Sequence, residues 1–167
     1  CGEQAMMFSK AMLFGDKEIA DQIMAAKWPG DHKALGRKVK GYVEEIWVAR
    51  RNGIQDAIAF ARFDQNPKER RDLFESLDTL MVEAAKNDKI WGIGLGITDP
   101  RIHDKSKWLG LNLLGESMDR AKARLIHKYP EEYAAVVEES LDAPAPDLFE
   151  RDFEAEYALA EIKAGFH

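Results

Sequence analysis

The sequence predicts an α+β domain dominated by helices, closed by an acidic helical extension, and three features point to it. Apolar residues recur at three-to-four spacing along most of the chain, the period of a helix with one buried face. The rhythm lapses between about residues 79 and 112, where a short apolar run gives way to glycine-rich sequence. Residues 129–167 set eleven Asp and Glu against Arg151 and Lys163, a net −9, so residues 1–128 carry +3 of the total −6. With 167 residues, 46% of them hydrophobic, the chain is long enough for one domain with a real core.

Each element follows from local chemistry. Met6, Met7, Ala11 and Phe14 share a face and predict a first helix over residues 4–14, ended by Gly15-Asp16. Asp16 then reads as the N-cap of a second helix carrying Ile19, Ile23 and Met24. Trp28-Pro29-Gly30 interrupts, and Asp31 caps a short helix reaching about Val39. A long helix is expected over residues 43–63, with Ile46, Trp47, Ile54, Ala57, Ile58 and Ala61 on one broad face and Gly53 as its weak interior point. Pro67 suits the first turn of a helix extending to about Leu77. Residues 79–84 predict a short buried strand, residues 90–98 are rich in glycine, and a loop is expected from there through Trp108. A helix over 112–129 carries Leu113, Leu114, Met118, Ala121 and Leu125. Beyond Pro130 two more helices are expected, split by Ala143-Pro144-Ala145-Pro146. Phe149, Phe153 and Tyr157 form a stripe on the last, which should dock on the body or on a second copy in a homodimer. Residues 1–129 thus form the expected domain and 130–167 its extension.

Composition narrows the function classes. The single cysteine, Cys1, excludes an internal disulfide framework and fits a reducing, cytoplasmic setting. No apolar run approaches a membrane span and nothing resembles a signal peptide, so no membrane partner is expected. A body at +3 suits a phosphate-bearing ligand but falls short of a nucleic-acid footprint. The chain opens on Cys rather than Met, which leads one to expect further sequence ahead of it.

General motifs add little. Gly92-Ile93-Gly94-Leu95-Gly96 lacks the spacing and the strand-to-helix context of a dinucleotide-binding loop. His32, His103, His127 and His167 show no ligand spacing, so no metal and no other cofactor is expected. Taken singly, Glu3 is a helix-start carboxylate, Trp47 a core residue, Asp88 a turn residue, and Lys10 and Arg37 solvated cations.

Taken in order, several stretches carry more. They are Gly2-Glu3-Gln4-Ala5-Met6-Met7-Phe8-Ser9-Lys10-Ala11, then Gly36-Arg37-Lys38-Val39 with Trp47 eight residues on, then Arg62-Phe63-Asp64-Gln65-Asn66-Pro67. Val82-Glu83-Ala84 leads to Asp88-Lys89-Ile90-Trp91-Gly92-Ile93-Gly94, and Trp108-Leu109-Gly110-Leu111-Asn112 with Met118 and Arg120 completes the set. Over about residues 2–126 this series resembles the NADAR family of YbiA-like N-glycosidases. The resemblance implies hydrolysis of a ribosyl C1′–N bond. The substrate would be a small phosphorylated metabolite, above all a phosphoribosylamino-pyrimidine intermediate of riboflavin biosynthesis. ADP-ribosylated guanine on nucleic acid is the alternative, and a non-catalytic ADP-ribose-binding module is the rival outside enzymology. The resemblance also implies Glu3 and Asp88 as catalytic carboxylates. Trp47, Trp91, Lys10, Arg37, Gly92 and Asn112 would bind substrate. Gly2-Glu3-Gln4 departs from the family's usual Ser/Thr-Glu-His/Tyr, and the β-rich segment normally preceding it is not in the sequence.

The chemistry asks for such residues independently. Breaking a ribosyl C–N bond passes through an oxocarbenium-like state, which a carboxylate stabilises or supplies with activated water, while an acid assists the leaving nitrogen. Indole faces stack on a flat base or a flattened sugar cation. Lys10 follows Glu3 by seven residues, two helical turns, and so shares its face.

Overall fold

The structure, a computed structural model, describes residues 1–142. Seven α-helices account for most of them: α1 (Gly2–Leu13), α2 (Lys17–Ala25), α3 (Pro29–Gly36), α4 (Glu44–Gln65), α5 (Pro67–Glu75), α6 (Leu113–Lys128) and α7 (Pro130–Asp142). Two short 3-10 turns, Pro100–His103 and Lys105–Lys107, lie in the long connection between α5 and α6. The Phe149–Tyr157 stripe and the linker before it lie outside the described residues.

Local signals set most of the boundaries. Asp16 caps α2 through Oδ1, which accepts the Ile19 amide at 3.2 Å, while Oδ2 accepts the Lys40 amide at 2.8 Å and ties the approach to α4 back onto α2. The short third helix begins at Pro29 rather than Asp31, because proline at a first turn has no amide to leave unpaired. Pro67 starts α5 in the same way. Gly53 does not break α4, which runs 22 residues, about 33 Å at 1.5 Å per residue, and links the two ends of the molecule.

Two apolar cores flank that helix. At one end Ala11, Ile19, Ala20, Ile23 and Val39 join Met7 and Phe14 between α1, α2 and α3. At the other, Ala59, Phe63, Leu73, Phe74, Ala121, Leu125 and Val136 join α4 to α5, α6 and α7. Arg70 fastens the acidic α7: it is 4% exposed, meets both Glu132 carboxylate oxygens with its Nε and Nη2 at 2.9 and 3.0 Å, and donates from Nη1 to the Phe63 and Asp64 carbonyls.

The helix-dominated reading is thus realised, but no strand forms among the described residues, and the strand expected over residues 79–84 is replaced by an irregular extended segment. The reason is a contact distant in sequence. Its polar backbone is met by a side chain instead of a neighbouring strand. Asn112 donates to the Met81 carbonyl at 2.9 Å and accepts the Glu83 amide at 2.9 Å, acting as a two-bond surrogate for a ladder. Asn112 itself is 2% exposed and left-handed at φ 56°, a conformation asparagine tolerates better than most residues. The segment is also anchored from α6, where the Lys122 ammonium donates to the Leu77 and Thr79 carbonyls at 2.8 and 3.1 Å.

Candidate functional site

One strip of surface collects most of the chemically distinctive side chains, running from α1 across the first half of α4 to the 83–94 segment. Lys10, on the last turn of α1, anchors its ammonium on the Gly36 carbonyl at 2.9 Å. The same nitrogen lies 4.3 Å from the centre of the Tyr42 ring and 5.7 Å from that of Trp47. Burial pulls the Lys10 ammonium below its ordinary pKa, and the Glu44 carboxylate opposes that. Burial pushes the Tyr42 hydroxyl up to about 12, helped by its hydrogen bond to Glu44.

Trp47 is 8% exposed, so its indole is largely core and offers only an edge to the surface. One turn along α4, Arg51 reaches toward Trp91, its guanidinium carbon 6.0 Å from the ring centre. The Arg51 Nε is fully enclosed and has no hydrogen-bond partner among the described residues. A buried donor of this kind carries a desolvation cost that an incoming acceptor would relieve.

Trp91 belongs to a tight turn built by Asp88. Asp88 Oδ1 accepts the amides of Ile90 and Trp91 at 2.9 and 2.8 Å, occupying one carboxylate oxygen and leaving the other without a partner among the described residues. The following amides fasten the turn: Ile93 straps it to residue 83, donating to the Glu83 carbonyl at 2.9 Å, and Gly94 closes it on itself, donating to the Asp88 carbonyl at 3.1 Å. Gly92 sits between them, where an added Cβ would lie 2.8 Å from the Glu83 oxygen and 3.0 Å from the Asp88 oxygen. Only glycine fits this close approach of backbones. Burial, with the Asp88 negative charge beside it, raises the pKa of the Glu83 carboxyl.

The expected residues therefore divide. Lys10, Trp47, Trp91 and Asp88 fall along the strip, with Gly92 and Asn112 beneath it as backbone supports. Asn112 spends both ends of its amide on the backbone of Met81 and Glu83. Glu3 stands in the first turn of α1, two turns before Lys10, and neither it nor the exposed Arg37 makes a side-chain hydrogen bond or ion pair among the described residues. Sequence reasoning passed over Tyr42, Arg51 and Glu83. Arg51 was discoverable from its i,i+4 relation to Trp47, and Glu83 from the Val82-Glu83-Ala84 stretch, whereas nothing in the sequence singles out Tyr42.

Two open depressions lie elsewhere. One of about 410 Å³ is lined by Phe60, Ala123, Arg124 and His127, the other of about 300 Å³ by residues of the α5–α6–α7 junction including Lys122 and Tyr133. Neither contains a residue of the strip. Among the described residues no three His, Cys, Asp or Glu side chains gather as a metal-binding group, and no helix is long and apolar enough to cross a membrane.

Comparison with known proteins adds a second line. The family model described as the NADAR domain matches residues 1–126, from the start of α1 almost to the end of α6. Protein irg-1 of Caenorhabditis elegans is 39% identical over 127 residues, covering 75% of this chain and 60% of that protein. N-glycosidase R617 of Acanthamoeba polyphaga mimivirus is 39% identical over 114 residues, covering 68% of this chain and 67% of the viral protein. The chain thus spans about two thirds or less of the length of these relatives. Helix α7 lies beyond the family match.

Proposed function

We propose, from the premise that this chain belongs to the NADAR family, that it is an N-glycosidase that hydrolyses the C1′–N bond between a phosphorylated ribose and a nitrogen base. A relative of 39% identity bears the name N-glycosidase, which supports the reaction class. The observation that carries the reading is the Asp88 turn. A carboxylate with one oxygen engaged by two amides and the other open is joined in four residues to an indole, which pairs a cation-stabilising charge with a stacking face.

In this reading the base lies against Trp91, with the accessible edge of Trp47 along the same strip. Asp88 faces the ribosyl C1′, where positive charge develops as the bond lengthens. Glu3, two turns before Lys10 on α1, is a second catalytic carboxylate, whose negative charge steadies the ribosyl cation as it forms. Lys10 and Arg51 receive the phosphate: one is a cation already partly desolvated, the other presents an enclosed, unpaired Nε. Arg37 supplies a further cation from the end of α3. The lead substrate is a small phosphoribosylamino-pyrimidine of the kind formed in riboflavin biosynthesis, since the net charge of residues 1–128, +3, is too small to favour nucleic acid.

The test is direct. Purified protein is incubated with a phosphoribosylamino-pyrimidine, NAD, ADP-ribose and ADP-ribosylated guanosine, and released base is followed by mass spectrometry. Release from the first supports the proposal, and release only from the guanosine adduct moves the substrate to modified guanine. Binding without release from any of them leaves a non-catalytic ADP-ribose module as the better account.

A further inference from the structure

Resting on the N-glycosidase reading above, we infer that Glu83 is the acid that protonates the departing base, so that Glu83 and Asp88 work as an adjacent pair with divided tasks. The inference stands first on geometry. The two residues are held in fixed relation by successive amides, Ile93 to the Glu83 carbonyl at 2.9 Å and Gly94 to the Asp88 carbonyl at 3.1 Å, with Gly92 filling the gap between them. The Glu83 amide is fixed from the other side by Asn112 Oδ1 at 2.9 Å. All this bonding fixes the Glu83 backbone and leaves the half-buried carboxyl without a hydrogen-bond or ion-pair partner among the described residues. Asp88, by contrast, already has one oxygen committed to the Ile90 and Trp91 amides.

The environments push the two carboxyls apart in the sense an acid–base pair requires. Burial and the neighbouring Asp88 charge both favour the protonated form of Glu83. As the C1′–N bond breaks, its electron pair passes to the base nitrogen, which takes the Glu83 proton. Water adds to C1′ and gives its proton to Asp88, which returns it to Glu83. The net reaction consumes one water and releases the free base and the ribose phosphate.

Leaving-group dependence tests the assignment. Wild type, Glu83→Gln and Glu83→Asp are assayed for kcat/KM across pH on an N-ribosyl 5-phosphate and on 4-nitrophenyl riboside 5-phosphate, whose leaving group departs without a proton. Glu83→Gln is expected to lose about a hundredfold or more on the N-riboside, a typical acid contribution, and to stay within a few-fold on the nitrophenyl substrate. The fall in wild-type rate at high pH, where Glu83 gives up its proton, should vanish in this variant, and Glu83→Asp should recover part of the lost rate. Equal losses on both substrates, or full N-riboside activity with an unchanged pH profile, would overturn the assignment while leaving the glycosidase reading intact. A wild-type protein that releases neither base from the N-riboside nor nitrophenolate from the nitrophenyl substrate would remove that reading and this inference with it.

Discussion

Asp88 Oδ1 accepts the Trp91 amide at 2.8 Å, so the carboxylate and the indole of the candidate site are parts of one turn and cannot be repositioned independently. Changes that break the turn and changes that only alter charge should therefore give different signatures.

Asp88→Asn keeps an oxygen acceptor for both amides and removes only the charge. Turnover should fall by at least about a hundredfold with a melting temperature close to wild type. Asp88→Ala should lose the same activity and stability as well. Activity assays beside thermal melts separate the two, and full activity in Asp88→Asn would exclude the charge from the chemistry. Glu3→Gln should likewise lower turnover about a hundredfold without unfolding, since Glu3 makes no side-chain hydrogen bond or ion pair among the described residues.

Trp47 is expected to show both of its roles. Its burial means that Trp47→Ala costs about 3–5 kcal/mol of stability, while Trp47→Phe keeps an aromatic face and part of the activity. Substrate affinity measured on refolded Trp47→Ala decides how much of the indole serves the ligand: unchanged affinity would confine the residue to the core.

The Asn112 amide is a structural latch in the fold described above. Asn112→Ala leaves the Met81 carbonyl and the Glu83 amide without their partner, at about 1–3 kcal/mol for each group that water cannot reach. Stability and kcat should fall together, because residue 83 and the turn strapped to it lose their footing. Loss of substrate affinity with stability intact would instead place the side chain on the ligand.

Acid titration offers an independent check on the loop ahead of α6. Arg101 holds the Asp99 carboxyl down to about 2, below the ordinary carboxylate value near 3.9. A depressed carboxylate pKa contributes stability that is present above about pH 4 and is lost as the pH falls toward 2. Wild type should therefore melt higher than Arg101→Met at neutral pH, and the two curves should converge near pH 2. A constant gap at every pH would mean that the ion pair is not its source.

How much of this was legible in the sequence differs by region. Helices were readable because their signals are local: Asp16 as a cap, Pro67 at a first turn, the three-to-four spacing along α4. Residues 79–84 misled because a short apolar run fits a strand equally well. What decides its state is a side chain 29 residues away from Glu83, Asn112, which no local pattern reveals. The site was legible where a motif joined carboxylate to indole, as in Asp88 to Trp91. Glu83 and Arg51 were legible only as positions, one in the Val82-Glu83-Ala84 stretch and one a helical turn from Trp47, since a half-buried acid beside another carboxylate and a buried unpaired Nε exist only once the chain is folded.

The central claim, hydrolysis at a ribosyl C1′–N bond, is tested most directly by running the reaction in ¹⁸O-labelled water with a phosphoribosylamino-pyrimidine and weighing the products. The account predicts free pyrimidine together with ribose 5-phosphate carrying one ¹⁸O, and loss of both products in Asp88→Asn. Intact substrate after prolonged incubation with a folded wild-type protein, or release of base equally fast from Asp88→Asn, would contradict it.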